Sequence, residues 1–165
     1  MTSSPLVLAL LDSGPLSLIT HPNGGSEALE CQNWLIDFLD AGHVALVPEI
    51  CYYEVRRELY RSQLKNSVQS KGLAKLDAFV QRTGLVPITS EAMLLATEFW
   101  AEARHKHIQG TPDPALDADM ILCAQAKLID PSEWNADGAN VVIVTRNVKH
   151  LEHFATALHW RDAGS

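Results

Sequence analysis

Leu6-Val-Leu-Ala-Leu-Leu-Asp12-Ser-Gly-Pro15 is the stretch that decides the fold. An unbroken apolar run without polar alternation fits a strand buried on both faces, as in a parallel sheet. Asp12-Ser-Gly ends the run, and Pro15 suits the first turn of a helix carrying Leu16, Leu18 and Ile19. Asp12 then stands at the carboxyl end of its strand, on the edge where open α/β sheets bind ligands.

The same strand-to-helix alternation continues outward. His21-Pro-Asn-Gly-Gly25 reads as a loop. Ser26 is placed to cap a helix over Glu27–Asp40, with Leu29, Trp34, Leu35, Phe38 and Leu39 on its apolar face. Gly42 closes that helix, and Val44–Val47 is a second strand. Pro48 stops the strand and opens a helix through Ile50, Val55 and Leu59. A shorter amphipathic helix over Leu73–Val80 ends near Gly84. Leu85–Thr89 reads as an edge strand, because Pro87 has no N–H for a ladder.

Ser90-Glu91 starts a long helix to about His107, and Gln109–Pro114 is a loop. Asp117–Leu128 reads as a small-residue-rich helix, and residues 130–140 as a polar surface insertion. Val141–Val144 is a clear buried strand. A short helix over Leu151–Ala157 and a last strand at Leu158–Trp160 complete the chain. The pattern predicts an α/β three-layer sandwich on a mostly parallel central sheet, with residues 1–165 as one domain.

Composition narrows the function. With 165 residues, 47% hydrophobic and 20% charged, the chain can build one real core and is not a disordered tail. A net charge of −7 argues against a broad basic nucleic-acid surface but leaves room for a local basic track. Cys31, Cys51 and Cys123 lack CxxC spacing and read as reduced, buried thiols. No run approaches the roughly 20 apolar residues of a membrane-spanning helix. Met-Thr-Ser-Ser-Pro lacks the basic start of a signal peptide, so a cytoplasmic location is expected.

Several acidic and polar residues fall at the sheet edge that holds Asp12. Glu54 lies in the helix after the second strand, with Glu58 one turn further on the same face. Asp117 and Asp119 open a later helix, and Thr145 and Asn147 follow the Val141–Val144 strand. Each has a plain structural explanation: Asp12 as a turn residue, Glu54 as a solvated helix residue, the aspartates as favourable charges at a helix N-terminus, Thr145-Arg-Asn147 as a turn. Gathered together, carboxylates repel unless a cation joins them, and hard oxygen ligands select magnesium or manganese. At i, i+2 on a helix, Asp117 and Asp119 point about 200° apart, so Asp119 is the better site candidate and Asp117 could act through water.

In order and element type these segments resemble the PIN-domain family, and within it the VapC-type toxin ribonucleases. Four segments carry the resemblance: Leu-Leu-Asp12-Ser, Val-Pro-Glu-Ile-Cys-Tyr-Tyr-Glu54-Val, Asp119-Met-Ile-Leu-Cys-Ala and Val-Thr145-Arg-Asn147. The resemblance implies hydrolysis of RNA phosphodiester bonds, with Asp12, Glu54 and Asp119 holding Mg2+ or Mn2+ and with Asp117, Thr145 and Asn147 supporting the site. It also implies backbone contacts from Arg56, Arg57, Arg61, Lys65, Arg146 and Lys149, an antitoxin protein as partner, and a homodimer. One departure stands out. No Asp or Glu follows the last strand where the family usually has its fourth acid; Asn147 and His150 occupy the candidate positions. A single tightly held cation, or a PIN-like module that binds RNA or protein without cutting, are the readings this departure motivates.

His150 with His153, and His105 with His107, have no Cys nearby and do not make a zinc site. Trp34, Trp100, Trp134 and Trp160 read as core or partner contacts. The apolar load of the Glu27–Asp40 and Glu91–His107 helices, with Trp34 and Trp100, suggests that these faces form the dimer.

Overall fold

The computed structural model describes residues 5–106 and 113–165. The strands are β1 (Val7–Leu11), β2 (Val44–Pro48), β3 (Leu85–Val86), β4 (Asn140–Thr145) and β5 (Ala157–His159). The helices are α1 (Ser13–Thr20), α2 (Ser26–Asp40), α3 (Glu49–Asn66), α4 (Lys71–Thr83), α5 (Ser90–His105), α6 (Asp113–Leu128) and the one-turn α7 (Val148–Leu151). The architecture is an α/β sandwich in which every strand pairing is parallel, in the order β3-β2-β1-β4-β5.

Both faces of the sheet are covered, which is why the strands are continuous apolar runs. Ala9 and Leu11 point into the larger core with Val47, Leu16, Leu35, Phe38 and Cys51. Leu8 and Leu10 point the other way, against Leu46, Val86, Ala136, Trp134 and Ile129. All four β1 side chains from Leu8 to Leu11 are fully buried. No helix among the described residues is long and apolar enough to cross a membrane.

The strand order creates the site. From β1 the chain moves outward to β2 and β3, then returns to place β4 on the other side of β1. The order therefore reverses between β1 and β4, the switch point at which a crevice opens beyond the strand ends. Leu11 pairs with Val144, and the Asp12 N–H donates to the Val144 carbonyl at 3.0 Å. Asp12 and Thr145 are thereby fixed beside one another.

Local boundaries differ from the sequence expectation for physical reasons. Ser26 does not cap α2; it is the first helical residue after Gly25, whose position has no side-chain cap. The cap of α5 is Thr89, whose hydroxyl accepts from the Ala92 N–H at 3.0 Å, so the edge strand is only Leu85–Val86. Helix α6 starts at Asp113, before the expected Asp117, while positions 109–112 of the expected loop and His107 lie outside the described residues. Residues 130–140 are not merely a surface insertion: a 3₁₀ turn over Pro131–Trp134 presents Trp134 and the buried Ala136 to the smaller core. The expected Leu151–Ala157 helix is instead the single turn α7, which ends at Leu151. The chain then turns into β5, one residue earlier than expected and parallel to β4. Trp34 is committed internally, packing on Phe38 and Trp160 and donating from Nε1 to the Ala163 carbonyl at 3.0 Å.

Candidate active site

Asp12 is the best-anchored group in the cleft. Its Oδ1 accepts the Ser13 N–H at 2.7 Å, which makes it the N-cap of α1. Its Oδ2 accepts the Thr145 hydroxyl at 2.8 Å. Thr145 is fully buried, and its Oγ1 also accepts the Asn147 N–H at 2.9 Å. One hydroxyl thus ties the end of β4 to the carboxylate at the end of β1, and sets the turn that follows. The buried Cys51 thiol lies 3.7 Å from Asp12 Oδ1.

Glu54 comes from α3, one helical turn past Cys51, so the two side chains share a face. Asp12, Cys51 and Glu54 each bring one ligand atom within 4.8 Å of the others. Burial, then the Asp12 charge, raise the Glu54 carboxyl above its ordinary range, against the pull of Arg57. Asp119 reaches the same cleft from α6. Burial first, then the charges of Asp12 and Glu54, push its carboxyl up to about 7. His150 of α7 sits 3.7 Å from Asp119 and 3.0 Å from the Asn147 side-chain amide.

Together Asp12, Ser13, Gly14, Glu54, Ala115, Asp119, Thr145, Arg146, Asn147, His150 and Leu151 enclose a cavity of about 390 Å³. Five of the six residues singled out for the site, Asp12, Glu54, Asp119, Thr145 and Asn147, line it. Asp117 does not. It is exposed and lines a separate groove with Met93, Thr97, Trp100 and Met120, facing α5. The i, i+2 spacing on a helix accounts for the split. His153 is also drawn away, to Glu102 at 3.3 Å, so it does not join His150.

Burial and neighbouring negative charge raise the proton affinity of Glu54 and Asp119, and a cation of fixed charge would relieve that repulsion. The carboxylate donors are hard oxygens, which suit a divalent ion of the magnesium or manganese type. The residues present therefore fit such an ion. Sequence reasoning passed over Ser13 and Cys51, although Cys51 stands at i−3 from Glu54 and was on its face by spacing alone.

No protein-family model matches the chain, and no curated protein matches its sequence. Solved structures do match in shape. A chain in the VapBC2 structure from Rickettsia felis, bound to a promoter DNA fragment, aligns at TM-score 0.63 and 15% identity over 93% of this chain and 99% of that one. A chain of DNA-bound VapBC from Salmonella typhimurium gives 0.60 and 17%, over 94% and 99%. A chain in the FitAcB structure from Neisseria gonorrhoeae gives 0.59 and 15%, over 93% and 99%. In fold the chain resembles a VapC-type PIN domain. In this fold the switch point between β1 and β4 is the place where Asp12 and Thr145 meet, and α3 and α6 bring Glu54 and Asp119 to them.

Proposed function

We propose that this protein is a metal-dependent endoribonuclease that hydrolyses RNA phosphodiester bonds, and that it is the toxin of a type II toxin–antitoxin pair. The observation that carries the reading is the convergence of Asp12, Glu54 and Asp119, from three separate elements, on one cleft at the switch point of a PIN fold. Asp12, Glu54 and Asp119 would hold Mg2+ or Mn2+. When bound, such an ion lowers the pKa of water and stabilises charge on a phosphate. The chain's own residues do the rest. Ser13 and Thr145 aim the two Asp12 oxygens, so the carboxylate does not rotate away. Glu54 and Asp119 supply charge from opposite helices, and burial excludes bulk water from their inner sides.

The VapBC and FitAB neighbours are complexes, several of them on DNA. By that likeness this chain would pair with a small DNA-binding antitoxin and act on RNA in the cytoplasm. A homodimer is the companion proposal, now resting on the exposed Met93, Leu94 and Trp100 of α5 rather than on Trp34. A second reading, a PIN-like module that binds without cutting, draws on Asn147 and His150 standing where a fourth acid would complete the charge. Incubating the purified protein with RNA and Mg2+ or Mn2+ decides between them. Cleavage that a chelator stops and Asp12→Asn abolishes supports the nuclease; intact RNA with manganese bound supports the silent module.

A further inference from the structure

The acidic cleft must accept a polyanion, and among its described lining residues Arg146 is the one Lys or Arg. Of the α3 arginines, two are paired outside the cleft and one stands beside Glu54 without lining it. Arg56 bonds Asp77 and Tyr52, Arg61 bonds Glu58, and Arg57 lies over the Tyr53 ring, 3.8 Å from Glu54. Arg146 is held by two unusual supports. Its aliphatic stem lies on Gly14, where an added Cβ would stand 3.0 Å from Arg146 Cδ and 3.3 Å from Cγ. Gly14 is the second residue of α1 and is not among the positive-φ glycines, so its backbone does not require glycine. Glycine is a poorer helix residue than alanine, and what it provides here is the seat for Arg146.

The guanidinium reaches Glu27 in the first turn of α2, 3.3 Å from Oε1 and 3.4 Å from Oε2. The two side chains are 51% and 41% exposed, a setting in which an ion pair adds little to stability. Stability alone is therefore a weak reason for the arrangement. Its geometric effect is clear: the guanidinium is parked at the rim, next in sequence to the threonine that anchors Asp12. A planar fork of donors matches two phosphate oxygens as well as it matches a carboxylate.

We infer that Arg146, seated on Gly14, binds a backbone phosphate of the RNA strand beside the carboxylate cleft, and that Glu27 competes with that phosphate for the guanidinium. This rests on the nuclease reading above. The substrate breaks the Glu27–Arg146 pair as it docks, so Glu27 tunes affinity without touching RNA.

The test measures binding of a labelled single-stranded RNA of about 12 nucleotides by anisotropy, in chelator so that nothing is cut, across a salt series. Arg146→Gln should weaken binding and make the log–log salt slope shallower by about 0.7, the value for one phosphate contact on a single strand. Gly14→Ala, with helix content confirmed by circular dichroism, should weaken binding in the same direction. Glu27→Gln should tighten binding about three-fold or more, whereas Glu30→Gln should change it less than about two-fold. Glu30 is the control because it removes the same charge from the same helix but pairs with Arg161. An unchanged slope in Arg146→Gln, or equal effects of Glu27→Gln and Glu30→Gln, overturns the inference while leaving the nuclease reading intact. Wild-type protein that neither binds this RNA nor cuts any RNA with manganese overturns both.

Discussion

Replacing Asp119 by Asn should make the cation-free protein more stable at pH 8, even though it removes a group from the centre of the site. Asp119 titrates near 3.8 in an unfolded chain and near 7 in the folded protein, because the cleft is buried and already holds the charges of Asp12 and Glu54. Between those values the folded state binds more protons than the unfolded state, so stability falls as pH rises from about 4 to about 7 and is level above it. At 1.36 kcal/mol per pH unit, the ionised Asp119 costs the folded state up to about 4 kcal/mol. Asn carries no charge to strand there, so the variant should gain roughly 2–4 kcal/mol at pH 8 in chelator. For a domain of this size that is roughly 5–15 °C in Tm. The gain should shrink toward pH 5, and a shallower slope of the same sign should remain from Glu54, which is shifted the same way. Manganese should reverse the ranking, stabilising wild type far more than the variant. Urea or thermal unfolding at pH 5, 6.5 and 8, with and without manganese, reads all of this. A variant that is less stable than wild type at pH 8 in chelator, by an amount independent of pH, would refute the reasoning.

Four further substitutions probe the site and its supports. Thr145→Val keeps the shape but removes a buried hydroxyl between Asp12 and the Asn147 N–H; it should cost about 1.5–3 kcal/mol in urea unfolding and weaken manganese binding measured by calorimetry. Asn147→Asp adds a carboxylate at the rim and should tighten manganese binding several-fold and raise cleavage; unchanged affinity would point to His150 as the group that fills that place. Gly84→Ala should cost roughly 2–5 kcal/mol, because its φ is +118° and a Cβ would stand 2.7 Å from Trp134. Gly138→Ala, at φ +73° but in open space, should cost only about 1 kcal/mol, and equal losses at the two glycines would show that the Trp134 contact is not what matters.

Much of the fold was legible because burial on both sheet faces writes itself into sequence as continuous apolar runs. Val7–Leu11, Val44–Pro48 and Asn140–Thr145 became the central strands within a residue or two of expectation. The candidate site was legible for the same reason: Asp12 and Thr145 end two such runs, and parallel strands place their carboxyl ends on one edge. What the sequence hid depends on contacts between distant elements. Trp134 read as a core or partner contact, but that it closes the smaller core beside Gly84, from within a stretch that reads as a polar insertion, was not legible. The stretch after Leu151 kept a helical apolar spacing, but pairing with β4 drew Ala157–His159 into the sheet. The i, i+2 spacing already favoured Asp119 over Asp117 for the cleft, but the groove against α5 that Asp117 lines instead depends on how α6 packs and was not legible. The Gly14, Arg146 and Glu27 arrangement joins α1, the end of β4 and α2, and no local pattern announces it.

The central claim is that three carboxylates from β1, α3 and α6 share one divalent cation. A crystal structure of the protein soaked in manganese, with anomalous scattering to identify the ion, tests it most directly. The account predicts one strong anomalous peak in the cleft, bonded to oxygens of Asp12, Glu54 and Asp119 at the roughly 2.0–2.3 Å typical of hard divalent ions, and lost in Asp12→Asn crystals. An empty cleft at saturating manganese, or an ion held elsewhere with Asp119 turned away, would contradict it.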